Sequence, residues 1–102
     1  MQVIHVPENG KAFVPYDEDG SIIVFGDDEI MVNLKVKERD YDVTIDICRD
    51  LFGGLILSPA GARAYVAQIF IPARQYTENP DSYPEPVPFS MDNVVLTIYE
   101  EV

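Results

Sequence analysis

Apolar and polar residues alternate with period two most clearly between Ile30 and Cys48. In Met31–Lys37, Val32, Leu34 and Val36 fall on one face, and Asn33, Lys35 and Lys37 on the other. In Tyr41–Ile47, Tyr41, Val43, Ile45 and Ile47 share a face. Alternation over two adjacent runs predicts antiparallel strands with one wet face. Glu38-Arg39-Asp40 would form the hairpin loop, setting Lys35 or Lys37 opposite Asp42 or Asp46.

Shorter β-like runs flank this segment. Gln2–Val6 alternates weakly and ends in the turn Pro7-Glu8-Asn9-Gly10. Lys11–Val14 reads as a second short run, closed by Pro15. Tyr16-Asp17-Glu18-Asp19-Gly20 reads as a turn, Ser21–Phe25 as a buried strand, and Gly26-Asp27-Asp28-Glu29 as a further break. Leu51-Phe52-Gly53-Gly54 is a turn before the short apolar run Leu55–Leu57.

Ser58–Phe70 admits two readings. Ser58-Pro59 resembles a helix cap with a first-turn proline, and four alanines follow. Against a helix stand Gly61 and the aromatic and branched residues of Tyr65–Ile71. The balance favours a strand over Arg63–Ile71, stopped by Pro72.

The stretch 76–90 holds Pro80, Pro84, Pro86 and Pro88, and reads as an irregular, extended connection. After it, Val94, Leu96 and Ile98 share one face of a final strand over Asn93–Tyr99. Glu100 and Glu101 would blunt an exposed edge there. The expected fold is therefore mainly β, a small antiparallel sandwich or barrel of about six short strands. The α+β alternative makes Pro59–Phe70 one short helix.

Composition narrows the functional classes. The chain has 102 residues, 47% of them hydrophobic, which suits one folded domain over 1–102. Seven Lys and Arg face eighteen Asp and Glu, a formal charge of -11. Binding to a phosphate backbone needs a clustered basic footprint. The one local cluster, Lys35, Lys37 and Arg39, is surrounded by Glu38, Asp40 and Asp42. Neither nucleic acid nor an anionic membrane is an expected partner. Met1–Pro7 lacks the features of a signal peptide. The single cysteine, Cys48, permits no internal disulfide, and a cytoplasmic location is expected.

Candidate chemistry is sparse. Asp17-Glu18-Asp19-Gly20 suggests a calcium loop, but placing Gly20 at position six of an EF-hand puts Pro15 first and Gly26 last. A looser site of Asp17, Asp19, Asp27, Asp28 and Glu29 would draw on turns at opposite ends of one strand, roughly 17 Å apart. One histidine, His5, and one cysteine cannot build a zinc cluster. If Ile45 and Ile47 face inward, Cys48 faces the opposite way, and nothing in the sequence orients a Cys48–His5 pair for catalysis. Asp42 and Asp46 sit on the expected wet face, without the desolvation that paired-acid catalysis needs. No nucleotide-binding or hydrolase motif occurs.

No catalytic, metal or cofactor residue is assigned, and no enzyme activity is expected. Tyr76 and Tyr83 are the candidate partner-binding residues. They lie in the proline-rich connection, where neither strand nor helix pattern accounts for them. The alternative is that they fold back over the sheet, as Phe89 is expected to do. The function expected is a non-enzymatic structural or assembly protein acting through a protein partner or self-association. The alternative is an acidic binding module or inhibitor that mimics nucleic acid against a basic surface.

Overall fold

A computed structural model describes residues 1–78 and 80–101. The described chain is mainly β, with eight strands in two sheets. They are β1 Gln2–Val6, β2 Tyr16–Asp19, β3 Ile22–Phe25, β4 Ile30–Asn33, β5 Val43–Asp50, β6 Leu55–Ile56, β7 Ala62–Ile71 and β8 Val95–Tyr99. One sheet has the order β1-β8-β7-β5-β6 and the other β2-β3-β4. The arrangement is an open sandwich, not a closed barrel, and it contains no helix at Pro59–Phe70.

A single apolar cluster fills the space between the sheets. Ile47, Ile69, Ile71, Leu96 and Ile98 enter it from the larger sheet, and Ile23, Phe25 and Val32 from the smaller. Val14, Leu34 and Val94 enter from connecting segments, and all of these side chains are at most 2% exposed. Burying a Leu, Ile or Phe side chain contributes about 1.5–3 kcal/mol, so this cluster dominates the fold's stability. Phe89 packs against it, as its position after Pro88 suggested.

The expected hairpin of Met31–Lys37 with Tyr41–Ile47 does not form. β4 pairs with β3, and β5 pairs with β7. The cause is partner length. β3 runs for only four residues, so the ladder ends where the Leu34 N–H reaches the Ser21 carbonyl. Leu34 then turns into the core, and Lys35–Lys37 forms one 3-10 turn that leaves Val36 outside. Lys35 and Lys37 therefore never oppose β5. Asp46 instead accepts from Gln68 Nε2 at 3.0 Å, and Asp42 from the Ala73 N–H at 2.8 Å.

Three further expectations change. Tyr16–Asp19 is an edge strand, whose exposed acids suit a free edge better than a sheet interior. It meets β3 through a two-residue loop, in which Gly20 at φ 60° supplies the left-handed backbone such a turn needs. Lys11–Val14 forms no strand, although Val14 is buried. β8 lies inside its sheet, parallel to β1 and antiparallel to β7, so its last residues guard no edge.

β6 and β7 point the same way on opposite sides of β5. The five residues 57–61 must therefore cross one face of β5 to join them. A bulge where Ile47 pairs with Ala67 and Cys48 with Tyr65 turns both Val66 and Ala67 into the core.

Candidate interaction surface

The connection after β7 forms a braced arm. Tyr76 and Pro86 make a bridge, the Thr77 N–H donates to the Glu85 carbonyl, and the Val87 N–H donates to the Gln75 carbonyl. The Glu85 N–H also donates to Thr77 Oγ1 at 3.1 Å. Two short extended segments thus run side by side, with residues 78 and 80–84 at the tip.

The base of the arm is clamped by the Glu38-Arg39-Asp40 segment. Arg74 Nε lies 3.4 Å from Glu38 Oε1, and its Nη1 lies 3.2 Å from Asp40 Oδ1. Arg74 Nη2 donates to the Glu38 carbonyl at 3.1 Å, and the Arg74 N–H donates to the Arg39 carbonyl at 2.7 Å. The Tyr76 hydroxyl donates to the same Asp40 oxygen. The Tyr76 hydroxyl first, then Glu38 and Asp40, favour the charged form of the Arg74 guanidinium and raise its pKa.

The two candidate tyrosines consequently part company. Tyr76 is 43% exposed and holds the arm down, whereas Tyr83 is 92% exposed at the tip. Neither caps the sheet. The molecule measures 55 × 28 × 20 Å, and its radius of gyration is 15.6 Å, against about 13 Å for a compact domain of this length. Ten-residue β7 spans only about 33 Å. The arm beyond its end and the β5–β6 turn at the other end supply the remaining length.

That turn carries another exposed aromatic. Phe52 is 97% exposed, and Asp50 Oδ1 holds the turn by accepting from the N–H groups of Phe52 and Gly54. The sequence had marked the turn but not the aromatic on it. Arg49 anchors the same end of the sheet. Its guanidinium reaches Glu101 Oε1 at 2.7 Å, the Gly53 carbonyl at 2.9 Å and Glu29 Oε2 at 3.5 Å. The Glu101 hydrogen bond is the largest cause of its raised pKa.

Cys48 and His5 do not meet. His5 lies on β1, edge-on to Phe13 with ring centroids 4.7 Å apart. Cys48 lies on β5, three strands away, or about 14 Å. Cys48 is fully buried, and that burial, followed by the Asp46 carboxylate, pushes its thiol pKa up. A reactive cysteine needs the opposite shift. Among the described residues, no three His, Cys, Asp or Glu side chains gather into a metal-binding group, those of 17–19 and 27–29 included. No helix among the described residues is long and apolar enough to cross a membrane. Comparison with protein-family models, curated proteins and solved structures finds no match to the chain.

Proposed function

We propose that this chain is a non-enzymatic assembly protein that reaches a protein neighbour through its arm. The observation that carries this reading is the braced arm itself. Ion pairs and hydrogen bonds fix its base, and its tip presents Tyr83 almost wholly to solvent. Ordering the base in advance lowers the conformational entropy lost on docking. Tyrosine is, with Trp and Arg, one of the side chains enriched as anchors at such contacts. Under this reading the chain works without a cofactor, and its partner is a protein instead of a nucleic acid or membrane. The lone buried thiol suits a cytoplasmic setting.

The test is the solution mass by light scattering at low and high salt. The native protein should exceed the monomer mass at both. Tyr83→Ala, or replacement of residues 80–84 by a Gly-Ser linker, should lower that mass while far-UV circular dichroism stays unchanged. A native monomer at every concentration and salt, or an unchanged mass in both variants, would overturn the reading.

A second reading has one observation in its favour. Asp17, Glu18 and Asp19 are all exposed along the free edge β2, a surface suited to a basic protein. It requires a monomer whose partner dissociates as salt rises.

A further inference from the structure

The larger sheet ends in two free edges, β1 and β6, and the smaller in β2 and β4. Proteins usually protect such edges with charge, shortness or irregularity. β6 has two residues, β2 carries Asp17, Glu18 and Asp19, and β4 is entered through Asp27, Asp28 and Glu29. β1, Gln-Val-Ile-His-Val, has five residues with no charge or bulge among them, and only Pro7 and Glu8 beyond its end. Ile4 and Val6 stand 39% and 41% exposed on it.

The hydrogen bonding of β1 identifies the groups left over. Gln2 donates to the Val94 carbonyl, and the Val6 carbonyl accepts from Glu100, so Gln2, Ile4 and Val6 turn their backbone groups to β8. Val3 and His5 turn theirs to the outer edge. An open hollow of about 290 Å³ lies there, lined by Val3, Ile4, His5 and Glu8.

We propose that this edge pairs with β1 of a second copy of the chain, antiparallel about a two-fold axis at Ile4. The inference deepens the assembly reading and rests on it, but uses a surface separate from the arm. The register follows from the free groups. Val3 of each copy exchanges two N–H···O bonds with His5 of the other, which makes four bonds. Ile4 faces Ile4 across the axis as a non-hydrogen-bonded pair, whose Cα atoms approach to about 4.5 Å. Two five-stranded sheets become one of ten strands.

Charge selects the occupant. With -11 on each chain, two copies can approach closely only along a surface poor in carboxylates; Gln2–Val6 holds no charged side chain, and Glu8 is the one acid lining the hollow. A basic peptide would be drawn instead to the acidic edge β2. The side chains agree, because Ile4 shares its face of the sheet with Val95, Tyr99 and Phe70 through the strand registers. Pairing would therefore join two partly apolar outer faces into one.

The test is disulfide trapping in the full chain with oxidised glutathione. Ile4→Cys should give a covalent dimer on a non-reducing gel. Gln2→Cys, whose equivalent residues would sit about 14 Å apart in this register, should not. Native protein should not either, since Cys48 is buried. Ile4→Lys, which sets two like charges face to face, should weaken dimerisation at least about tenfold by sedimentation, and added salt should strengthen the native dimer. If Ile4→Cys fails to cross-link more than Gln2→Cys while the native mass still exceeds the monomer, the β1 contact is wrong and the assembly reading stands. If the native protein is also a monomer throughout, both fail.

Discussion

Replacing Arg49 by Met tests how the far end of the sandwich is tied together. The methionine keeps most of the apolar stem and removes the guanidinium. Side chains of Arg49 and Glu101 are 18% and 30% exposed, so their bonds at 2.7 and 3.4 Å are only partly screened. Together these bonds contribute about 2 kcal/mol. The bond to the Gly53 carbonyl adds about 1 kcal/mol. The Glu29 contact, at 3.5 Å to a 41% exposed side chain, adds at most about 0.5 kcal/mol. Arg49→Met should therefore lose about 3 kcal/mol from a domain whose stability is on the order of 5–15 kcal/mol. The corresponding drop in Tm is about 12 °C or more. Urea unfolding is the appropriate assay because it leaves ionic strength unchanged. Circular dichroism or tyrosine fluorescence can follow it, as the chain has six Tyr and no Trp. A double-mutant cycle with Glu101→Gln should return a coupling of about 1–2 kcal/mol, reduced but not abolished by salt. A loss under about 1 kcal/mol, or a coupling near zero, would show that Arg49 does not tie these segments together.

Three other outcomes follow from the burial of Cys48 and the Tyr76 clamp. Native Cys48 should resist alkylation at neutral pH and react only as the protein unfolds; rapid labelling of folded protein would contradict its burial. Because its folded pKa is raised, its contribution to stability is complete below the unfolded thiol value near 8.5. That contribution is lost as pH climbs above this value, so urea midpoints should fall in that alkaline window and Cys48→Ala should flatten the fall. Tyr76→Phe should cost at most about 1 kcal/mol yet speed hydrogen exchange at the Thr77 and Val87 amides. Equal exchange rates would remove Tyr76 from the clamp.

Local pattern revealed strands wherever a strand's length was set by its own residues. Gln2–Val6, Ser21–Phe25 and the Val94-Leu96-Ile98 face could be read directly, and Arg63–Ile71 only on balance against a helix over Pro59–Phe70. It failed where a partner set the limit. The alternation of Met31–Lys37 continues past Asn33, but β3 offers nothing to pair with beyond Ser21. Acidic Tyr16–Asp19 looked like a turn because Asp is rare in strands, a preference that a free edge relaxes. At the proposed surface, sequence singled out Tyr76 and Tyr83 together as aromatics without a pattern to bury them. It could not divide their roles, because the clamp on Tyr76 comes from Asp40, 36 residues earlier. Glu38-Arg39-Asp40 was expected to make a hairpin loop and instead seats the arm, a task no neighbouring residue reveals.

The position of β8 governs the order in which this chain can fold. β2, β3 and β4 join through short local turns, so the small sheet can form early. The large sheet needs β8 inserted between β1 and β7, with Gln2 meeting Val95 across almost the whole chain. Closing so long a loop is slow. Until it happens, β1 and the ten-residue β7 both lie open along the sides β8 will cover. A chain held up at that stage offers two unsatisfied strands to any neighbour. The interval before the last strand inserts is thus the stage at which this chain is most open to aggregation.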